Sequence, residues 1–321
     1  MLKFGIWNED QYIRARDRRS LSGSRVSYSL LEVGENATEE EIQRFEGISS
    51  SLGMSNGTFR TTFRHRFRDV DAVTMRIVER IYRTGAELFI QDRAASHGLT
   101  SCELAEQFFQ VFPRAEFEAS DRVLYLIRLS LENGETYIVE PNGQPLQYIK
   151  PPFAVVLCPR EPYRYPLNHL IAARAMRRFR HLSLADGWMD SGGGDGYRVD
   201  KMSCIHPQAR SLSKRNPRFQ VRMRSVFEHT PGVDVLRTMN VLNKAYFSAE
   251  RLVDAASAAF HSLRPGGIWI VGRTLEEDFS NHVTFLRRHQ EKWEVLDRIG
   301  SGSEMEEFAA RALAIHQGNL R

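Results

Sequence analysis

The stretch from Glu87 to Asp121 constrains the fold of this chain more than any other. A short apolar segment ends at Gln91 and is followed by small residues, by a helical pattern and by a second strand pattern, "AEFEASD". A strand, a tight loop, a helix and a second strand in this order make up most of a βαβ unit. Because such units build parallel sheets with helices on both faces, the stretch predicts an α/β fold.

The loop inside this stretch is built from small residues, and an aspartate, Asp92, precedes it. Small side chains let a ligand approach the backbone closely, and the next helix N-terminus offers unpaired N–H groups and a positive dipole end. We predict that this helix begins at Thr100 or Ser101, with Thr100 and Glu103 forming a capping box. The loop is therefore a candidate nucleotide-type site, although it lacks the G-x-G-x-x-G spacing. Its residues are Ala94, Ala95, Ser96, His97 and Gly98.

Residues 123–158 carry a different, antiparallel signal. Two Asn-Gly pairs, Asn133-Gly134 and Asn142-Gly143, separate runs of strand-forming residues, and Asn-Gly is a strong signal for a two-residue hairpin turn. We predict a β-meander inserted into the α/β fold, with any exposed edge covered by a second chain or by the N-terminal segment. A lid, a homodimerisation arm and a partner-binding sheet are all consistent with such an insertion.

The second half of the sequence resumes the α/β pattern. A helix with Pro166 near its first position should bury Leu167, Leu170 and Ile171. The strings "FQVRMRSVFE" and "GVDVLRTMNVL" predict strands, and a helix is expected at 248–263 before the strand "IWIVGRT". The strings "VTFLRRH" and "WEVLDRIGS" predict a final antiparallel pair.

Length and composition bound the remaining possibilities. With 321 residues the chain has room for about two domains, and we expect an N-terminal helical or lid segment at 1–70 and an α/β domain at 71–321. No apolar run reaches the roughly 18 residues of a membrane span, and the N-terminus lacks the apolar core of a signal peptide, so a cytoplasmic protein without a membrane partner is expected. The three cysteines lie far apart and no C-x-x-C motif occurs, so no metal site is predicted. The net charge of +4 fits solvated basic surfaces better than a nucleic-acid role.

Several strings resemble class I S-adenosylmethionine-dependent methyltransferases over residues 71–300. The string "SVFEHTPGVDVLRTMNVLNKAYF" and the turn "LRPGG" before "IWIVGRT" are similar to that family's stretch from its third to its fifth strand. The loop "AASHGLTS" resembles the S-x-G-x-x-S loop of chemotaxis-receptor methyltransferases. The resemblance implies a doubly wound, mostly parallel seven-stranded, Rossmann-like sheet interrupted by the antiparallel β-meander. It also implies S-adenosyl-L-methionine as the cofactor.

The resemblance places this cofactor at the carboxyl ends of the strands, where ligands bind in parallel α/β sheets. Asp121 follows Gly98 by 23 residues, close to the spacing of about 20 for an acid that binds ribose hydroxyls. Ser225 and Phe227 fall where the family contacts adenine, and Asn240 falls beside the methyl donor and the substrate. The cofactor-binding residues implied in this way are Asp92, Ala94, Ala95, Ser96, His97, Gly98, Asp121, Ser225, Val226, Phe227 and Asn240.

The resemblance also bears on catalysis and on the acceptor. Small-molecule O-methyltransferases with a similar string carry a general-base histidine where this chain has Asn243. A carboxylate or amine acceptor needs little help from a base, and arginine binds carboxylates in bidentate fashion, so Arg237 favours a small anionic metabolite as the acceptor. The candidate catalytic residues are Asn240, Asn243 and His229. The candidate substrate-binding residues are Tyr163, Tyr165 and Arg237.

Three other functions remain open at this point. The degenerate glycine loop is compatible with a methyltransferase-like protein that only binds a partner. Methylation of a protein or of a nucleic acid is a second alternative. A nicotinamide-dependent Rossmann enzyme is a third, against which the "RPGG" turn and the final antiparallel pair both count.

Overall fold

The computed structural model describes residues 4–6, 9–17, 26–27, 31–34, 37–50, 53–55, 60–151, 153–157, 165–181, 192–194 and 196–318. The chain forms two compact units. The meander unit comprises Met1–Phe63 and Val123–Pro207, and the α/β unit comprises Arg64–Arg122 and Gln208–Arg321. This division differs from the expected one, because the second segment of the meander unit continues well past residue 158 and the first ends before residue 70.

Eight helices and fourteen strands are found among the described residues. The helices are α1 (Glu9–Asp17), α2 (Glu39–Ser50), α3 (Arg68–Ile81), α4 (Leu99–Val111), α5 (Pro166–His181), α6 (Pro207–Arg215), α7 (Ala249–Ser262) and α8 (Met305–Gly318). The strands are β1 (Phe4–Gly5), β2 (Phe89–Arg93), β3 (Glu116–Asp121), β4 (Tyr125–Leu131), β5 (Thr136–Val139), β6 (Pro145–Lys150), β7 (Phe153–Val156), β8 (Gly192–Gly194), β9 (Tyr197–Ser203), β10 (Phe219–Met223), β11 (Val233–Met239), β12 (Leu263–Thr274), β13 (Asn281–His289) and β14 (Lys292–Ile299).

The α/β unit contains the predicted seven-stranded sheet, with the order β10-β3-β2-β11-β12-β13-β14. The first five strands are parallel, and β13 and β14 complete the sheet as an antiparallel pair. The chain runs outward from β2 through β3 to β10 and then returns to β11 on the other side of β2. The order reverses between β2 and β11, which is the switch point at which doubly wound sheets bind ligands. The predicted α/β fold class is confirmed.

Both faces of this sheet are covered by helices. Leu236 of β11 belongs to one apolar cluster with Leu252 and Ala256 of α7. The next residue along β11, Arg237, points the other way and contacts α3 and α4, because successive side chains of a strand alternate between faces. Every residue of β11 is buried, as expected of a central strand covered on both sides.

The meander unit contains a second seven-stranded sheet, with the order β1-β7-β6-β5-β4-β9-β8. The predicted β-meander is confirmed as β4 to β7, and the predicted turn glycines Gly134 and Gly143 have φ angles of 77° and 84°. The N-terminal strand β1 pairs with β7, so the N-terminal segment covers that edge, which is one of the two covers predicted. Phe45 of α2 packs on one apolar cluster of the unit, and Phe179 of α5 packs on a second.

Helix α5 begins at Pro166 as predicted, and its buried face was predicted in part, because Ile171 packs against an apolar cluster whereas the two predicted leucines do not. Leu167 and Leu170 are 46% and 67% exposed. The buried residues are instead Asn168, Ala175 and Phe179. The Asn168 side chain donates a hydrogen bond of 2.5 Å to the carbonyl of Val156 in β7, and this bond fixes the rotation of the helix about its axis. None of the helices in the described part of the chain is long and apolar enough to cross a membrane.

Candidate active site at the carboxyl edge of the sheet

The carboxyl ends of the parallel strands bring most of the predicted cofactor residues to one edge of the α/β sheet. The loop 94–98 follows β2, Asp121 is the last residue of β3, residues 225–227 follow β10, and Asn240 follows β11. Strands β2, β3, β10 and β11 are mutually parallel neighbours. These segments therefore leave the sheet on the same side and next to one another.

Backbone strain is concentrated at this edge. Ala94, Ser96, Asn240 and Phe279 have positive φ angles of 60°, 57°, 62° and 58°, and each follows the carboxyl end of β2, β11 or β12. A left-handed conformation at a residue other than glycine costs on the order of 1–3 kcal/mol and persists where the surroundings enforce it. Such strain is typical of ligand-binding segments, so the backbone itself marks this edge as a candidate site.

The loop 94–98 alternates in backbone conformation. Its positive φ angles fall at Ala94, Ser96 and Gly98, and a chain of this kind forms a concave nest of N–H groups that binds anionic oxygens. The N–H of Ser96 donates a hydrogen bond of 2.8 Å to the Asp121 carboxylate, and the N–H of Ala95 donates to the Ser120 carbonyl at 2.9 Å. The end of β3 is thereby fastened to the loop that follows β2.

Helix α4 begins earlier than predicted and without the expected capping box. Its N-cap is Gly98, with φ 84° and no side-chain cap. The Glu103 carboxylate instead accepts a hydrogen bond from the N–H of His65, and the carbonyl of the buried Thr100 accepts one from Arg237. A Cβ atom at Gly98 would lie 3.2 Å from the Cβ of Ala209 in α6. Gly98 is therefore required both for its φ angle and for the close approach of α6.

Beneath the loop lies a buried cluster of charges that corrects two of the sequence-based assignments. Arg237 is fully buried and donates to Asp71 at 2.7 Å and to Asp92 at 2.6 Å. Asp92 also accepts a hydrogen bond of 2.6 Å from the Ser101 hydroxyl. Arg237 was expected to bind substrate and Asp92 to bind cofactor, but both charged groups are used inside the protein. Successive side chains of β11 point to opposite faces of the sheet, so the Arg237 side chain lies between the sheet and helices α3 and α4.

The charges of this cluster perturb one another. Burial raises the pKa of Asp71 to about 7, and the nearby carboxylates of Asp92 and Glu103 add to the rise, while Arg237 opposes it. Burial works against the charge of Arg237, but Asp92 and Asp71 together raise its pKa above the ordinary value. One guanidinium faces two buried carboxylates, so it can neutralise only one of them. The second carboxylate, Asp71, therefore retains a proton more readily than an ordinary aspartate.

The two candidate catalytic asparagines hold the backbone at the end of β11. The Asn240 side-chain oxygen accepts a hydrogen bond of 2.6 Å from the N–H of Thr274, at the end of β12. The Asn243 side-chain oxygen accepts one of 3.0 Å from the N–H of Ala245, two residues further on. An amide is not a proton acceptor of useful strength, so neither side chain is a general base. Their part in catalysis stays a prediction.

Residues after β10 form a half-buried apolar surface at the same edge. The N–H of Phe227 donates to the Ser225 hydroxyl at 3.3 Å, which fixes a tight turn around Val226. The Phe227 ring meets Phe247 edge to face, with 5.3 Å between the ring centres. The guanidinium of Arg251 lies 3.8 Å from the centre of the same ring. This aromatic surface is the part of the edge that the resemblance assigns to adenine.

Neither of the two predicted histidines has an exposed side chain at this edge. The Nε2 atom of His229 donates to the carbonyl of His261 at 2.9 Å, and His261 lies in the last turn of α7, immediately before β12 begins. His229 therefore lies at the amino edge of the sheet, where it lines an open cavity of about 550 Å³ with His261 and Arg288. The connection from β10 to β11 contains no helix among its described residues, so it carries His229 directly from one edge to the other. The second histidine, His97, is completely buried.

Of the two predicted substrate-binding tyrosines, Tyr163 lies outside the described residues. Tyr165 belongs to the meander unit, directly before α5, and its carbonyl accepts a hydrogen bond from the N–H of Asn168. The assignment of both tyrosines to a substrate site stays a prediction.

Sequence reasoning missed a polar network at the carboxyl ends of β11 and β12. The Nε atom of Arg66 donates to the Thr274 hydroxyl at 3.2 Å. The Asn281 side-chain nitrogen donates to Asp69 at 2.7 Å and to the carbonyl of Arg66 at 3.0 Å. Thr274 also bonds to Asn240, so the segment 64–69 is tied to the candidate site. This segment falls within residues 1–70, for which a lid was one of the two expectations.

Solved structures that match this chain at low similarity include several methyltransferases. No protein-family model matches the sequence, and no curated protein matches it. The solved structures of similar shape include the carbon methyltransferase CurJ (TM-score 0.34, 11% identity, covering 66% of this chain and 35% of that one). They also include the CMeT domain of the citrinin polyketide synthase (TM-score 0.35, 10% identity, 75% of this chain and 41% of that one). A third is a putative S-adenosyl-L-methionine-dependent methyltransferase from Methanococcus maripaludis (TM-score 0.29, 13% identity, 75% of this chain and 68% of that one).

This chain spans about two fifths or less of the first two of these proteins. The fold class follows from the strand order of the α/β sheet itself. In that sheet the first five strands along the chain lie in the spatial order 3-2-1-4-5, which is the order of doubly wound nucleotide-binding sheets.

Proposed function

We propose that the α/β unit binds S-adenosylmethionine at the carboxyl edge of its sheet and transfers the methyl group to a small-molecule acceptor. The observation that carries the proposal is the hydrogen bond between the N–H of Ser96 and the Asp121 carboxylate. It joins the loop after the first strand to the acid at the end of the second strand, beside the switch point of a doubly wound sheet. The sequence resemblance supports the same cofactor independently.

The residues at this edge fit an adenosyl ligand. Ala94 and Ser96 are half-buried, with small side chains and positive φ angles, so a ligand can reach the backbone of the loop. The Asp121 carboxylate is partly exposed beside it and is suited to accept hydrogen bonds from ribose hydroxyls. Phe227 offers an aromatic surface for a flat ring. These groups would hold and orient the cofactor.

When bound, S-adenosylmethionine supplies an activated methyl group on a sulfonium sulfur. The protein's contribution is then mostly to orient the acceptor atom in line with the methyl group, which can lower the barrier by about 7–11 kcal/mol. The described residues at this edge that were predicted to be catalytic are asparagines, so we propose an acceptor atom that is already nucleophilic, such as a carboxylate oxygen or an amine nitrogen. The sequence-based case for an anionic acceptor rested on Arg237, and the burial of Arg237 removes that support.

A methyltransferase-like binding protein without activity is the second candidate. The observation that favours it is that Asp92, Asn240 and Asn243 are all bonded within the protein. Such a protein would bind the adenosyl ligand, or a partner, without transferring a methyl group.

Two measurements on the full chain separate these functions. Isothermal titration calorimetry with S-adenosylmethionine, S-adenosylhomocysteine and NADH should show binding of the first two and none of NADH. Transfer of a radiolabelled methyl group to a panel of small amines and carboxylates should then identify an acceptor class. Binding without transfer to any small molecule would favour the inactive candidate. Binding of NADH in place of the adenosyl ligands would reject the proposal.

A further inference from the structure

We infer that Arg237 is a positioning residue that sets the conformation of the loop 94–98. The inference rests on the proposed function in so far as that loop is the cofactor loop. The hydrogen bonds of Arg237 go to Asp71, Asp92 and Thr100 and not to the loop residues themselves. It acts through Asp92, which precedes the loop, and through the first turn of α4, which follows it.

The guanidinium of Arg237 joins the elements that surround the loop. Arg237 lies on β11 and donates one hydrogen bond of 2.7 Å to Asp71 in α3 and another of 2.6 Å to Asp92 in β2. The same nitrogen that reaches Asp92 also donates 3.0 Å to the carbonyl of Thr100 in α4. The ring of Phe67 lies 5.3 Å from the guanidinium carbon. The loop therefore lies between Asp92 and Thr100, and the Arg237 side chain bonds to both of these residues.

A second bond closes the base of the loop. The Ser101 hydroxyl donates 2.6 Å to the same oxygen of Asp92 that Arg237 contacts. The chain from Asp92 to Ser101 thus forms a closed ring whose ends are fixed by one carboxylate. Within this ring, Ala94 and Ser96 hold positive φ angles, which persist only where the surrounding structure enforces them. When a hydrogen bond to the Asp92 carboxylate is lost, Ala94 and Ser96 should be the first residues to leave these backbone conformations.

Other parts of the same sheet provide matched controls. Asp234 of β11 accepts hydrogen bonds from the N–H of Phe89 at the start of β2 and from Arg264. Thr284 is a fully buried residue of β13, three strands away from β2, and its hydroxyl donates a hydrogen bond of 2.6 Å to the Glu306 carboxylate. Arg264→Lys therefore matches Arg237→Lys, and Thr284→Val matches Ser101→Ala. Each control perturbs a polar contact of the same sheet away from the loop.

The test measures hydrogen exchange of the backbone in the ligand-free full chain. In Ser101→Ala and Arg237→Lys we expect peptides covering 94–101 to exchange at least about tenfold faster than in the wild type, which is the range for losing a hydrogen bond to a charged group. In Thr284→Val and Arg264→Lys these peptides should exchange at the wild-type rate. Ser101→Ala is the milder change and keeps the test decisive if Arg237→Lys does not fold. Unchanged exchange at 94–101 in a folded Ser101→Ala protein would overturn the inference.

A binding measurement separates positioning from general stabilisation. Ser101→Ala should weaken binding of S-adenosylhomocysteine by about tenfold to a hundredfold, whereas Thr284→Val should leave it within about twofold at a similar loss of thermal stability. Equal affinities in the two variants would overturn the positioning role. If the wild type binds no adenosyl ligand, the proposed function fails, but the exchange measurement still decides whether Arg237 orders the loop.

Discussion

The carboxyl and amino edges of the α/β sheet are formed by the same strands but hold their charges differently. At the carboxyl edge, Arg237 is completely buried against Asp71 and Asp92. At the amino edge, the corresponding pair on the same strand is Asp234 with Arg264, whose side chain is 54% exposed and lies 3.2 Å away. A half-exposed pair contributes little to stability, typically between 0 and about 1 kcal/mol. A buried group of one cation and two anions is costly to assemble.

The backbone shows the same contrast. Positive φ angles at Ala94, Ser96 and Asn240 follow strand ends at the carboxyl edge, whereas Gln290, at the amino edge, lies in the two-residue turn between β13 and β14. A tight hairpin turn requires such angles for local reasons alone. The loop after β2 connects a strand to a helix and has no such requirement. Unneutralised buried charge and a strained backbone coincide at one edge, and that coincidence is the physical reason to place the site there.

The largest expected difference between the two edges is in how the free energy of unfolding depends on pH. The pKa of Asp71 is raised by burial from 3.8 to about 7, so the folded protein binds a proton there that the unfolded chain has already lost. The resulting stabilisation is complete below about pH 4 and is lost as the pH rises to about 7 and beyond. A shift of this kind corresponds to roughly 2–4 kcal/mol. Urea denaturation from pH 4 to pH 8 should show this loss in the wild type and not in Asp71→Asn.

Asp234→Asn is the control for this titration. Burial also raises the pKa of Asp234, but the N–H of Phe89 and the charge of Arg264 oppose the rise. We therefore expect a smaller change with pH from this variant. Identical pH profiles for the wild type and for Asp71→Asn would contradict the charge assignment of the buried cluster.

Removing the Asp121 carboxylate should have the next largest effect. Asp121→Asn keeps the shape of the side chain but replaces an anionic acceptor, and a hydrogen bond to a charged group contributes about 1.5–3 kcal/mol. Binding of S-adenosylhomocysteine should weaken by roughly tenfold to a hundredfold in calorimetry. The same substitution at Asp234 should change the affinity by less than about twofold. A change of less than twofold for Asp121→Asn would show that this acid does not bind the ligand.

Two glycine substitutions test whether the loop 94–98 is packed more tightly than another left-handed position of the α/β unit. Gly98 and Gly85 have nearly equal φ angles, 84° and 82°, but a new Cβ atom would lie 3.2 Å from Ala209 at Gly98 and within 4 Å of nothing at Gly85. Both changes to alanine impose a left-handed residue at a cost of about 1–2 kcal/mol. Gly98→Ala should lower the free energy of unfolding by about 1 kcal/mol more than Gly85→Ala, because α6 must also move. Equal losses would indicate that α6 shifts without cost.

The smallest effect is expected at His229. This residue lies at the amino edge and bonds to the carbonyl of His261, so His229→Ala should leave adenosyl-ligand binding and methyl transfer within about twofold of the wild type. A large loss of transfer activity would place chemistry at the amino edge and would undermine the distinction between the two edges.

The sequence predicted local features better than the partners of individual side chains. The loop after β2, the position of Asp121 and both Asn-Gly turns depend on short-range patterns, and all three lie where the patterns indicated. Arg237 was predicted to bind the substrate because nothing local reveals a buried partner. Its partners Asp71 and Asp92 lie 166 and 145 residues away along the chain.

Contacts between residues far apart along the chain also explain the other differences between prediction and structure. In α5 the Asn168 side chain bonds to β7, so a polar residue takes a buried position while Leu167 and Leu170 stay exposed. The position of His229 depends on a connection that has no helix in the described structure, so the chain crosses directly from one edge of the sheet to the other. Both are tertiary effects, and neither has a periodicity that a sequence alone could display.

Hydrogen exchange of the full chain with and without S-adenosylhomocysteine tests the central claim most directly. We expect protection on ligand addition in peptides that cover 94–98, Asp121 and 225–227, at the carboxyl edge. Peptides covering 229–232, 264–267 and 289–292, at the amino edge, should exchange at the same rate in both states. Protection confined to the amino-edge peptides, or no change anywhere at a ligand concentration far above that of the protein, would contradict the account.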